Sequence, residues 1–238
     1  MPTNAQKKIM QEWKLFKDLP ETIFVRAYET RMDLLRAAIF GARGTPYHDG
    51  LFFFDIAFPA DYPAKPPLLL LSIQALVLNE RPYFNEPGNA GWAGRTYGEK
   101  KSLAYSEEVF VLSCKTMLCV LRRPPKNFEQ LVTQHFKDSA EFILNACDAY
   151  RKGLAGVGLF NGVLKGTKAE VSVKFKGAVN QVYGELMVAL SKTGASVGQW
   201  NGEKCCSEVE EDYVSGINIE EEESEIKDDS CLSCFRAA

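Results

Sequence analysis

The stretch Gly44 to Pro67, GTPYHDGLFFFDIAFPADYPAKPP, lays down a turn, a strand and a proline-stiffened exit in that order. Pro46 fixes its own φ, and the Asp49-Gly50 pair tolerates the positive φ of a tight reversal, so a hairpin is predicted to turn here. Leu51 to Phe58 then alternates: Phe52, Phe54, Ile56 and Phe58 form a wholly apolar face, while Leu51, Phe53, Asp55 and Ala57 form a mixed one. That pattern is a strand with its better face against a core. Pro59, Pro63, Pro66 and Pro67 forbid a helix and cannot donate to a central ladder, so the chain leaves the sheet extended.

Upstream, strands are predicted at Thr22 to Tyr28 and around Met32 to Phe40, which with Leu51 to Phe58 make an antiparallel meander. Residues 5 to 17 read as a helix, with Ile9, Trp13 and Phe16 on one face, ended by Asp18-Leu19-Pro20. Downstream, Leu68 to Leu78 reads as a buried helix, and Asn79 to Gly98, rich in Gly, Pro and Asn, as a long loop anchored by Tyr83 and Trp92. Ser106-Glu107-Glu108 looks like a helix start, and Val109 to Leu121 is a nearly all-apolar helix stopped by Pro124-Pro125. A further helix is predicted from Asn127 to Lys152, with Phe128, Leu131, Val132, His135, Phe136, Ile143, Leu144 and Cys147 at core spacing. Gly153 to Gly166 reads as a hinge, and Phe175, Val179, Val182 and Leu186 mark one more amphipathic helix. One helix, then a sheet, then several helices is an α+β arrangement.

Hydrophobic residues make up 46% of the 238, enough for a sizeable core. The net charge of −3 hides an asymmetry: residues 203 to 238 hold twelve carboxylates against three basic groups, leaving the preceding 202 residues with 19 acids and 25 bases. An acidic tail on a mildly basic body suggests a solvated extension able to fold back or meet a basic partner. The basic residues are scattered rather than interleaved with aromatics on a stripe, which argues against nucleic acid as a partner. No apolar run is long enough to span a membrane, and the opening MPTNAQKK lacks the core of a secretion signal; a cytoplasmic or nuclear protein with reduced thiols is expected.

Seven cysteines occur, none before Cys114. Cys114 and Cys119 lie on the apolar helix and Cys147 on a core stripe, so all three read as packing residues. Cys205, Cys206, Cys231 and Cys234 fall in the tail and read as free thiols; one C-x-x-C without a second spaced pair does not make a zinc site, and no metal is expected. His48 reads as a turn residue and His135 as a hydrogen-bonded packing residue.

Gly44-Thr45-Pro46-Tyr47, Phe58-Pro59 and Tyr62-Pro63-Ala64-Lys65-Pro66-Pro67 resemble the G-T-P-Y turn, F-P strand end and Y-P-x-x-P-P exit of the ubiquitin-conjugating enzymes. Ser72 to Asn79, Pro82 to Gly88, Val111 to Leu118 and Arg122 to Lys126 extend the likeness to the large members of that family, plant forms included, over roughly residues 5 to 165. The resemblance implies the family fold, with an N-terminal helix, a meander sheet and C-terminal helices. The chain then divides into a domain over 1–165, which the resemblance covers, and two parts read from the residues themselves: an amphipathic helix within 166–200 and an acidic disordered tail over 201–238.

Family members accept ubiquitin from an activating enzyme as a cysteine thioester and pass it to substrate lysines, usually with a ligase. The resemblance therefore implies ubiquitin, the activating enzyme and ligases as partners, and no bound cofactor. By location, Lys7, Lys8 and Gln11 match the activating-enzyme docking surface, although a solvated helix face fits them equally; Pro63, Ala64 and Lys65 match the ligase-contacting loop, with Ala64 a small anchor. The chemistry needs a thiolate and a donor for the oxyanion. In the family these come from an H-P-N-like or N-P-N-like motif and a G-x-x-C-L-like motif lying between the P-P exit and the S-I-Q helix. Here Pro67 runs almost directly into Ser72, and neither motif intervenes. The expected catalytic residues are thus none. The expected function is that of a ubiquitin-conjugating-enzyme-like protein defective in catalysis or, alternatively, a non-catalytic variant acting as a binding module. Loss of the segment is also expected to expose part of the Phe52, Phe54, Ile56 and Phe58 face or the leucine run.

Overall fold

The computed structural model describes residues 19–28, 31–57, 73–162 and 169–196. Two compact units share these: 19–37 with 54–57, and 38–53 with 73–162 and 169–196. Three strands, β1 (Ile23–Tyr28), β2 (Arg31–Phe40) and β3 (Leu51–Ala57), pair in the order β1-β2-β3 as an antiparallel sheet. The meander is the one the alternation predicts. Within the first unit a bidentate pair links β2 to β3, Arg36 Nε to Asp55 Oδ1 at 2.6 Å and Nη2 to Oδ2 at 2.8 Å. It lies on the more exposed face of β3, where a cross-strand charge pair adds modestly to stability.

In the second unit the hairpin connection is wider than a two-residue turn. The Gly41 N–H donates to the Gly50 carbonyl at 2.9 Å, and between them the Thr45 and Tyr47 carbonyls accept from the His48 and Gly50 amides. The Thr45 hydroxyl donates to Ala42 O at 2.7 Å and accepts from the Tyr47 amide at 3.2 Å, so the connection is held by its own side chain as well as by Pro46. Asp49 takes the positive φ, +59°. Leu51 and Phe52 are both buried and Phe53 meets Phe128 edge-on at 5.2 Å, so β3 begins covered on both faces.

Three long helices complete this unit: α1 (Thr96–Arg122), α2 (Glu129–Lys152) and α3 (Val173–Ser191), each packed on the other two. Phe110 of α1, Phe136, Ile143 and Tyr150 of α2, and Phe175, Val179 and Leu186 of α3 are buried, each contributing about 1.5–3 kcal/mol of transfer free energy if fully covered. Leu131, expected on the core stripe, is only half-buried. Ser172 caps α3 by accepting from the Phe175 amide and is itself held by Glu107 of α1 through two hydrogen bonds, at 2.8 and 2.6 Å.

The structure corrects two expectations. α1 begins at Thr96, ten residues before Ser106, which lies buried in mid-helix. The start is made by tertiary contacts: Glu99 accepts the Gly94 N–H at 2.7 Å and pairs with Arg81, and Gly98 lets the helix approach Trp92, whose carbonyl oxygen would lie 2.2 Å from any Cβ there. The predicted buried helix is not found in the part of Leu68 to Leu78 that is described. Ile73–Val77 is a single π-helical turn, with Leu76 66% and Val77 49% exposed, and only Leu78 at its end is buried. The predicted Asn79 to Gly98 loop accordingly ends at Arg95, and it contains a 3-10 turn at Pro82–Asn85 and an α-turn at Pro87–Ala90.

Candidate functional site

The family-matched functional residues lie outside the described residues: Lys7, Lys8 and Gln11 at one end, and Pro63, Ala64, Lys65 and the junction from Pro67 to Ser72 at the other. The described chain resumes at the π-turn Ile73–Val77, where the Gln74 amide reaches Phe40 O at 3.4 Å. Asparagines then organise the loop beyond it. Asn79 Nδ2 donates to Leu76 O and to Asn85 Oδ1, and Asn85 Nδ2 donates to Val77 O at 3.1 Å, so side chains satisfy the carbonyls that this short turn leaves open. Of the expected apolar exposure, Phe52 and Ile56 show none and Phe54 is half-buried, while Leu76 and Val77 show it.

The thiols among the described residues are placed for packing. Cys114 of α1 and Cys147 of α2 are fully buried, and Cys119 is partly so. A hydrogen bond with Cys147 together with burial pushes the Cys114 thiol well up, the opposite of what a nucleophile needs. Among the described residues no cluster of three His, Cys, Asp or Glu side chains could hold a metal ion.

The most reactive-looking constellation is one the sequence does not reveal. His48 Nδ1 lies 2.6 Å from Asp49 Oδ2, and His48 Nε2 lies 2.9 Å from the Tyr150 hydroxyl. With the Asp49 carboxylate as acceptor Nδ1 is the donor, and in the neutral imidazole Nε2 then accepts from Tyr150, whose oxygen in turn accepts the Gly158 N–H at 3.0 Å. A second histidine joins: His135 Nε2 donates to Asp49 O at 2.9 Å, with its ring stacked on Phe40 at 4.4 Å. The order carboxylate, imidazole, hydroxyl is that of an activated nucleophile. Here every member is buried beneath Phe110, Phe142 and Phe175, so no reacting carbonyl reaches the hydroxyl. Burial pushes the Tyr150 hydroxyl far up, and burial likewise lowers His135, keeping the former protonated and favouring the neutral form of the latter. The cluster is a lock between hairpin and helices. His135 is thus a hydrogen-bonded packing residue, as its spacing indicates. Tyr150 follows Ile143 and Cys147 at helical spacing, a signal able to mark it as core; its 102-residue separation from His48 leaves no local trace.

A family sequence model described as ubiquitin-conjugating enzyme matches residues 8–81. The Arabidopsis thaliana protein named "Putative ubiquitin-conjugating enzyme E2 39" is 44% identical over 223 residues, covering 74% of this chain and 67% of the relative. This chain belongs to the ubiquitin-conjugating enzyme family. Two further relatives from the same plant, "Probable ubiquitin-conjugating enzyme E2 24" and "E2 25", are 42% identical over 239 residues and 47% over 193, covering 81% and 62% of this chain. The matched part spans only 26% and 32% of those two proteins' own lengths. The three-stranded meander followed by helices is consistent with the conjugating-enzyme fold, and no described helix is long and apolar enough to cross a membrane.

Proposed function

We propose that this member of the ubiquitin pathway does not itself carry ubiquitin as a thioester. One observation carries the reading: residues 8–81, the stretch matching the family, contain no cysteine, and the first in the chain is Cys114. The alignment lengths support it. The 239-residue match engages 81% of 238 residues, about 193, leaving about 46 aligned positions with no residue here. The 193-residue match engages 62%, about 148, leaving about 45. A nearly constant deficit against different relatives is what one internal gap produces, and the Pro67 to Ser72 junction is where the resemblance locates it. Neither Cys114 nor Cys147 substitutes, because ubiquitin's carboxyl terminus cannot reach a fully buried, hydrogen-bonded thiol.

A non-catalytic binding module is the second reading, favoured by the hairpin and three-helix packing that persists without the segment. Its partners by resemblance are ubiquitin, the activating enzyme through Lys7, Lys8 and Gln11, and ligases through Pro63, Ala64 and Lys65.

The test is thioester charging with activating enzyme, ubiquitin and ATP, resolved on reducing and non-reducing gels. The chain as it stands yields no reductant-sensitive band; a version carrying the intervening segment of a relative between Pro67 and Ser72 yields one. A band on the unaltered chain, abolished by Cys114→Ser or Cys119→Ser, overturns the proposal.

A further inference from the structure

Away from the hairpin lock, a groove of about 640 Å³ opens where the end of α1, the start of α2 and the end of α3 meet. Leu121, Pro124, Val132, Val188 and Ala189 give it an apolar floor, and Val188 is 58% exposed, a large apolar side chain with no cover among the described residues. Its rim is charged: Arg122 Nη2 meets Glu185 Oε2 at 2.6 Å, and Lys192 lines the α3 end. Pro124 on the floor belongs to Arg122-Arg123-Pro124-Pro125-Lys126, so a basic run borders the groove.

The chain itself continues from this rim. Lys192 and Thr193 line the groove, description stops at Ser196, and the next aromatic side chain in the sequence is Trp200. The seven residue steps from Thr193 to Trp200 reach at most about 25 Å when extended, ample to turn back into a groove whose edge is their own starting point. Residues 197 to 213 then carry Glu203, Glu208, Glu210, Glu211 and Asp212 against the single Lys204, complementary to the basic run.

We propose that residues 197–213 dock intramolecularly in the groove between α1, α2 and α3, with Trp200 against Val188 and Pro124 and the acidic run against Arg122, Arg123 and Lys126. An indole supplies a large apolar area at low conformational cost, and the carboxylates fix its direction; neither feature alone selects this segment. The docked segment occupies a groove that α3 borders, so a partner seeking that face must first displace it.

The experiment labels the full chain with fluorotryptophan and follows the three indoles by fluorine resonance, Trp200 being assigned by the signal lost in Trp200→Phe. The expected result is a Trp200 signal with a small H2O-to-D2O shift, becoming fully solvent-sensitive in Val188→Asp and at high salt partly so, while the Trp92 signal stays put and reports an intact fold. Arg123→Glu weakens protection several-fold and adding Asp212→Lys to it restores part of the loss. A fully solvated Trp200 in the unaltered chain overturns the proposal, as does protection indifferent to Val188→Asp. Protection that rises with protein concentration also overturns it, by assigning the groove to a second copy.

Discussion

Tyr150→Phe removes one oxygen from a site where that oxygen has two partners. The Tyr150 hydroxyl donates to His48 Nε2 at 2.9 Å and accepts the Gly158 amide at 3.0 Å, and the side chain is 0% exposed. The ring keeps its contacts with Phe110 and Phe175, at centroid distances of 4.9 and 6.3 Å, so packing changes little. The cost lies in two buried polar groups left without partners, each about 1–3 kcal/mol. Some relaxation of the Gly158 loop recovers part of it, leaving a loss of about 2–4 kcal/mol, a sizeable share of the 5–15 kcal/mol that holds a typical domain folded. At about 2–4 °C per kcal/mol for a chain of this size, Tm falls by about 4–16 °C. Thermal unfolding of the full chain measures it, with exposed Tyr97→Phe as the control that shifts Tm little. Amide exchange at Gly158 accelerates in the same variant, and Tyr150→Phe combined with His48→Ala costs less than the two singly, because they share one bond. A fall under about 2 °C, or additive losses, refutes the view that this chain of hydrogen bonds ties the hairpin to α2.

Glycine positions give a second prediction. Gly158 has φ +77° and a Cβ there would lie 2.8 Å from Gly44 O, whereas Gly44 has φ +84° with open space around it. Gly44→Ala should therefore cost only the left-handed backbone term, about 1–2 kcal/mol, and Gly158→Ala distinctly more, a ranking read by urea midpoints; the reverse order contradicts the contact. A third concerns acid. Hydrogen bonding from the Gly94 amide, then Arg81, lowers the Glu99 carboxyl below its ordinary 4.5. A depressed folded-state value means its stabilisation is fully present above about pH 4.5 and is lost as pH falls through the lower folded value, so the stability gap between wild type and Glu99→Gln closes on acidification within that window. A gap that persists unchanged at the lowest pH refutes it.

Local chemistry carried much of the fold in legible form. The alternation of Leu51 to Ala57 and the apolar spacing of α2 each depend on side chains a few residues apart, which is the range over which period and turn chemistry act. The start of α1 was illegible because no side-chain cap marks it: N-cap Arg95 makes no cap hydrogen bond, and Glu99, Arg81 and Gly98 begin the helix through partners in the preceding loop. Ser106-Glu107-Glu108 imitates a start. In the fold Ser106 faces the core, while Glu107 and Glu108 serve α3 through Ser172 and Lys174. Residues 73–77 carry a buried-helix pattern, yet Leu76 and Val77 remain exposed: periodicity reports which side chains prefer burial, and whether a surface exists to cover them is a property of the whole fold.

By itself the sequence determined the family motifs, their order along the chain and the lack of any cysteine before Cys114, since all three are statements about residue types and their neighbours. Only the tertiary structure decided that Cys114 is buried against Cys147, that His48, Asp49, His135 and Tyr150 form a lock rather than a reaction centre, and that a groove opens beside Lys192. The physical reason is distance along the chain. Burial and hydrogen bonding between residues 33 to 102 positions apart are fixed by how α1, α2 and the hairpin pack, and no local pattern encodes that packing.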